Sequence, residues 1–352
     1  MKNLRSRVAA LVVGGAMLAG CSGASPSVAP QSVAPNQSAP AASQGTAVDP
    51  VAMKYGHSST GINTVAADAA IADLRAQGYN IEGVVLGSSE LSAEGTSTGT
   101  FSFGSGGNST ILVAMRAAPD TQKFIVDGLK NEWALYAREG FDDCADLDGK
   151  NVGIFSEGGV STAMVRNYFS INCPGVNPSY LVLGDSQTRA AALLAGKIDA
   201  TPVELSDALT LEATGAGKVH LLTSFAETLP DLKTGSIAAN VKFMEEHPEA
   251  TRAFIKALVT QYRKVMEDPA YFKEITLEYY PDVDQETLDA TLAVYVDRGL
   301  FPLNGGLTLE NLQYTTDFFV EAGVIQEGLT PADTADLTHL DSVIEEIGAL
   351  DE

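Results

Sequence analysis

One stretch, Asp146 to Ala208, restricts the fold of this chain more than any other. Val152 to Phe155 is an apolar run of strand length that enters Ser156-Glu157-Gly158-Gly159, and helical periodicity begins at once with Val160, Ala163, Met164, Asn167 and Tyr168. The plan then repeats, with a strand over Tyr180 to Leu183, Asp185 as an N-cap, an Ala/Leu-rich helix from Ser186 to Gly196, and a third strand from Ile198 to Thr201. Alternating units of this kind build a parallel sheet whose ligand crevice lies outside the carboxyl ends of the strands. The unpaired N–H groups at each helix start carry the positive end of the helix dipole and hold an acceptor or anionic group without a cationic side chain.

The wording of this stretch resembles the substrate-binding proteins of ABC importers in the aliphatic-sulfonate, taurine, nitrate and thiamine-precursor group. Leu147, Gly149, Lys150, Val152, Gly153 and Ile154 match the motif that opens that family's second lobe, and Leu193, Gly196, Ile198, Asp199 and Ala200 match the one that closes its helix–strand step. Each piece is common alone; their order and roughly fifty-residue separation, ordinary for a βαβαβ stretch, carry the resemblance. It implies two α/β lobes in the type II periplasmic-binding-protein-like fold, each lobe a mixed, mostly parallel sheet flanked by helices, the two hinged by two crossing segments.

At the N-terminus, Lys2, Arg5 and Arg7 precede an apolar run from Val8 to Leu18 and then Leu18-Ala19-Gly20-Cys21. A membrane-spanning helix needs about 20 apolar residues, so the run reads as an export signal over residues 1–20 instead. The four residues ending in Cys21 look like a bacterial lipobox, which implies cleavage before Cys21 and lipidation of its thiol, holding the protein on the outer face of the cell membrane. Residues 21–48 are Ser, Ala, Pro, Gln and Gly with almost no charge, and read as a disordered tether reaching on the order of 30 Å.

The remaining roughly 300 residues exceed one ordinary core and favour two lobes. We expect lobe I over 49–138 plus 229–352 and lobe II over 139–228. Met53 to Gly56, Ile81 to Leu86 and Gly99 to Phe103 read as strands of the first lobe, with Gly104 to Ser109 as a glycine-rich turn; Lys123 to Val126 and Trp133 to Ala137 then lead across, and the return falls near Thr223 to Leu229. His247-Pro248-Glu249 opens a long amphipathic helix, and further helices are expected at about 284–298 and 308–323. Lys+Arg 22 against Asp+Glu 45 gives a net charge of −23, which disfavours nucleic acid as a partner.

No catalytic constellation is expected. The pairs Gly149-Lys150, Gly196-Lys197 and Gly217-Lys218 lack the rest of a phosphate loop, and His57, His220, His247 and His339 show no metal-ligand spacing, so neither cofactor nor metal is anticipated. Cys144 and Cys173 share the second lobe in a compartment that permits disulfides, and are either bridged or separately buried thiols. Loops at strand ends supply the ligand-binding candidates. These are His57, Ser58, Ser59, Ser88, Ser105, Asn108 and Ser109 from the first lobe, and Gly158, Gly159, Val160, Ser161, Thr201 and Glu204 from the second. Any single Ser here reads equally well as a turn or N-cap residue. Glu204 would repel a sulfonate or nitrate and suit a ligand offering N–H or O–H donors, unless it merely begins a helix and faces water. Trp133, the only tryptophan, serves either to stack on a ring or to pack a crossing strand.

The resemblance therefore implies a monomeric, lipid-anchored solute-binding protein that captures a small molecule and hands it to an ABC permease and its ATPase, without enzymatic activity. An enzyme on the same scaffold, similar to pyrimidine-precursor synthases, and a ligand-sensing partner of a receptor are the alternatives.

Overall fold

Ten short strands, most of them rich in Val, Ile, Tyr and Ala, alternate with amphipathic helices in a computed structural model that describes residues 50–283 and 285–351. The leader, the tether and Cys21 lie outside the described residues, as does Asp284. The strands are β1 (Ala52–His57), β2 (Asn80–Val85), β3 (Phe103–Gly107), β4 (Gln122–Leu129), β5 (Ala134–Arg138), β6 (Asn151–Ile154), β7 (Ser179–Val182), β8 (Ala200–Val203), β9 (Val219–Ser224) and β10 (Gly235–Asn240). They form two five-stranded sheets, ordered β2-β1-β3-β10-β4 and β7-β6-β8-β5-β9.

The two sheets share one plan. β1 runs parallel to β2 and β3, while β10 is antiparallel to β3 and β4; β6 runs parallel to β7 and β8, while β5 is antiparallel to β8 and β9. The antiparallel member of each sheet is the strand that has just crossed from the other lobe. The outward crossing is therefore the segment from Lys130 to Trp133. That is a correction to the boundary at residue 138, because β5 pairs with β8 and β9 and so belongs to the second sheet. The return crossing runs from Phe225 to Thr234.

Asn131 ties the two crossings together. Its side-chain amide donates to the carbonyls of Phe225 and Leu229, both at 3.0 Å, and its oxygen accepts from the Trp133 amide. Phe225 N–H in turn donates to Trp133 O at 2.9 Å. Buried polar groups satisfied in this way fix the geometry of a segment that has no sheet partner of its own.

The first sheet packs under the long helix Pro248–Glu267, whose buried stripe includes Phe254, Leu258, Tyr262 and Val265. Phe254 stacks on Phe103 with ring centroids 4.0 Å apart. In the second lobe Asp185 caps the helix Ser186–Leu194 by accepting from Thr188 N–H at 2.7 Å. Gly196 ends that helix in the left-handed region, φ 66°, where a side chain would be strained. A disulfide joins Cys144 to Cys173, with Cα atoms 6.0 Å apart, and ties the turn before β6 to the end of the helix Val160–Asn172.

One element departs from its expected form. The run Gly104 to Gly107, read from the sequence as a turn, is strand β3 itself. A Cβ on Gly104 would stand 2.2 Å from Thr96 Oγ1 and 2.7 Å from Ser92 Oγ, so the helix Ser89–Ser97 lies directly on a strand that has shed its side chains. The described residues contain no helix long and apolar enough to cross a membrane.

Candidate functional site

A cavity of ≈ 180 Å³ opens between the two sheets, lined from both lobes and from the crossings. The loop after β1 contributes Ser58, Ser59 and Asn63; Ser105 and Gly107 come from β3; Glu132 and Trp133 come from the outward crossing. Across from them stand Phe155, Gly159, Val160, Ser161 and Glu204, while Thr234 and Ser236 come from the return crossing and β10. The walls are mostly apolar and aromatic, with a few convergent polar groups, the usual make-up of a small-molecule site.

The lobes touch across this cavity. Asn63 Nδ2 donates to Glu204 Oε2 at 3.2 Å, and Ser109 Oγ donates to Gly158 O at 2.8 Å. Gly107 faces Val160 so closely that a Cβ would come within 3.0 Å of Val160 Cγ2. A fourth bridge, Thr210 Oγ1 to Thr287 Oγ1 at 3.5 Å, joins the helices Leu205–Thr214 and Gln285–Asp297. Together these contacts join the two sheets' elements on either side of the cavity.

Charge on the cavity wall is one-sided. Glu132 is 5% exposed and accepts from Tyr295 O–H at 2.9 Å and from the Leu205 amide. Glu204 is the N-cap position of the helix that Leu205 begins. Burial, then the charge of Glu204, pushes Glu132 up to about 8; burial, then the charge of Asp207, pushes Glu204 up to about 7. Arg189 lies behind this wall, fully buried, donating to Thr201 Oγ1 at 3.2 Å, to Pro202 O at 2.9 Å and to Gly184 O. Its guanidinium sits 5.9 Å from the Trp133 ring centroid. Burial brings Arg189 down to about 10, against the opposing charges of Glu204, Asp207 and Asp185.

Residues 123–271 match the family model described as NMT1/THI5 like, a stretch that contains both motifs of the second lobe and the opening of the long helix. No curated protein matches the chain in sequence. Among solved structures, it is similar to the ligand-binding component of an ABC-type import system from Staphylococcus aureus (13% identity, TM-score 0.67, covering 83% of this chain and 98% of that one). The alkanesulfonate-binding protein SsuA from Xanthomonas axonopodis pv. citri, bound to MOPS, aligns at 16% identity and TM-score 0.64, over 81% of this chain and 98% of that one. The periplasmic nitrate-binding protein NrtA from Synechocystis aligns at 11% identity and TM-score 0.65, over 85% and 90%. The fold is that of the periplasmic binding proteins. The group named from the motifs at Leu147–Ile154 and Leu193–Ala200 is the one these matches support.

Within this periplasmic-binding fold, the expected contacts Ser58, Ser59, Ser105, Gly159, Val160, Ser161 and Glu204 do line the cavity. His57 does not. β1 continues through it, so its side chain turns under the lobe, 1% exposed, with Nε2 3.3 Å from Asp68 Oδ1 and its ring edge-on to Tyr55. Burial lowers its pKa. Ser88 caps the helix Ser89–Ser97 by accepting from Leu91 N–H, and its neighbour Ser89 reaches the cavity instead. Thr201 is structural, accepting from Arg189 and donating to Gly153 O at 3.0 Å. Asn108 is fully buried beside the wall with neither side-chain polar atom paired. Ser109 and Gly158 meet each other at the rim and stand off the cavity wall.

Asn63, Glu132, Phe155 and Thr234 were missed as site residues. In sequence Asn63 heads an Ala-rich run, 63–77, that reads as a packing helix, whereas in the structure it stands in the short turn Ile62–Thr64 ahead of the helix Val65–Ala76; Glu132 lies between two strands, where a charge reads as solvated. Gly95-Thr96-Ser97-Thr98-Gly99 has the letters of a nucleophile elbow, but it closes a helix instead of following a strand, and Ser97 Oγ is bonded to Thr121 Oγ1 at 2.7 Å. Among the described residues no cluster of His, Cys, Asp and Glu is arranged to hold a metal ion.

Proposed function

We propose that this chain is an extracytoplasmic solute-binding protein of an ABC importer, anchored by lipid on Cys21, that closes its two lobes on a small organic molecule and delivers it to a membrane permease. The observation that carries this reading is the cavity lined from both sheets, with Asn63 bonded to Glu204 across it and Ser109 bonded to Gly158 beside it. Contacts that exist only in the shut form are what a ligand selects when it shifts a hinge equilibrium. The leader, the lipobox letters and the tether support export and anchoring. The domain division that follows is a first lobe from 49 to the outward crossing and again from the return crossing to 352, with a second lobe between.

The test is native mass spectrometry of the protein taken from its own cell membranes, paired with small-angle scattering before and after the bound compound is removed. A retained small molecule and an expansion on its removal are expected. A body that carries nothing and keeps one radius under both conditions would sink the proposal.

An enzyme on this scaffold is the second reading. It draws on the pair Glu132 and Glu204, two buried carboxyl groups whose pKa values burial raises, as acid–base work requires. Turnover of the retained compound by the isolated protein would favour it.

A further inference from the structure

The wall of the proposed solute-binding site carries two acids and no cation, and that pairing names a class of ligand. Its wall carries Glu132 and Glu204 and no lysine or arginine. Neither carboxylate belongs to an ion pair among the described residues; their partners are the Tyr295 hydroxyl, the Leu205 amide and the Asn63 amide. Asp207 and Asp185 add negative charge at Glu204, and Arg189 is the one cation near it. Arg189, however, spends its N–H groups on Thr201, Pro202 and Gly184, so three acids, Glu204, Asp207 and Asp185, face a single guanidinium that bonds to none of them. On the opposite side Lys233 is already matched by the Asp127 carboxylate at 3.0 Å, beneath Ser236, and supplies no free positive charge to the cavity.

Buried carboxylates without a cation are costly, and an incoming positive charge is the partner that relieves them. The remainder of the wall, Trp133, Phe155, Tyr55 and Val160, suits a compact apolar or aromatic body. At the other end Val160 and Ser161 begin a helix with no side-chain cap, whose first N–H groups suit a neutral acceptor.

Resting on the solute-binding reading, we propose that the ligand is a compact organic cation with an apolar or aromatic body, whose N–H donors are held by Glu132 and Glu204. An anion, such as the alkanesulfonate or the nitrate for which the similar SsuA and NrtA structures are named, would meet two acids and no free cation on this wall and be rejected.

The experiment uses four probes of one shape, benzamidine, benzamide, benzoate and benzenesulfonate, titrated calorimetrically into the mature protein after removal of any retained compound. Benzamidine is expected to bind about tenfold or more tighter than benzamide, in line with the strength of a charge-assisted hydrogen bond, and the two anions not at all. Glu204→Gln, which keeps an acceptor for Asn63, should erase the preference for benzamidine, with its melting curve checked to show that it folds. Anions that bind as well as benzamidine, a Glu204→Gln protein that retains the preference, or silence from all four probes each overturn the assignment. Native mass spectrometry separates the two levels: a retained anion ends the cation assignment and leaves solute capture standing, whereas no retained compound together with no probe binding ends both.

Discussion

Asn63 and Glu204, 141 residues apart in sequence, meet across the cavity with the amide nitrogen 3.2 Å from the carboxylate oxygen. The bond joins one sheet's loop to the other's, so on the hinge reading proposed above it belongs to the closing equilibrium and not to the stability of either lobe. Asn63→Ala should lower the population of the closed form by a few-fold, the worth of one such hydrogen bond, and leave the melting temperature nearly unchanged. Distance measurements between spin labels on the two lobes would check this; an unchanged closed fraction would remove Asn63 from the latch.

Ser109 offers an independent test at the rim. Its hydroxyl donates to Gly158 O at 2.8 Å, and Ser109→Ala deletes that donor without adding bulk. Release of whatever the protein captures should speed up several-fold, with association little altered. A variant whose dissociation rate matches the parent's would show that the rim contact is incidental.

Glu132 and Glu204 make the empty protein sensitive to pH. Their folded-state pKa values are raised, so between the ordinary carboxylate range and about 8 the folded form holds protons that the unfolded chain has lost. Stability from this source is therefore full at low pH and falls as pH rises through that window. Glu132→Gln mimics the protonated state, and should match the parent near pH 5 and exceed it near pH 8 in denaturant midpoint. Parallel curves for the two proteins would contradict the raised values.

The glycine strand yields a paired prediction. Gly104→Ala drives a methyl into Thr96 and Ser92 and should cost about 1–3 kcal/mol, the usual penalty for overpacking. Gly158→Ala, where the added carbon meets nothing within 4 Å, should be close to neutral. Chemical denaturation of both variants decides it, and equal losses would refute the packing argument.

Removing the disulfide by Cys144→Ser with Cys173→Ser should destabilise the second lobe by about 3–4 kcal/mol, the chain-entropy value for a loop of this length. The bridge spans 29 positions of sequence. A denaturant midpoint indifferent to reductant would argue against that loss.

The second lobe was the more legible half of the chain. Asp185 and Gly196 bracket their helix in sequence as they do in space, and the apolar run at Val152 announces β6, because caps and strand runs are local signals. β10 was not legible: Gly235-Ser236-Ile237-Ala238-Ala239-Asn240 has little strand propensity and becomes a strand through pairing with β3 and β4. The same holds for β3, where glycine serves close packing instead of a turn. In the site, small residues at helix starts were readable from spacing. Glu132 was not, since its role depends on a fold that brings it to Glu204. His57 was placed at the right strand end but one residue too early for the loop, and that single step turns a side chain to the opposite face.

The hydrogen bond from Phe225 N–H to Trp133 O sets the two ends of the 134–224 segment side by side. The whole second sheet is thereby a cassette plugged into the first through one narrow doorway, with Glu204 travelling inside the cassette and Glu132 standing on the threshold. Exchanging that cassette would replace half of the cavity wall in one event while every strand ladder of the first sheet stayed intact, so a new wall needs no rebuilding of the base.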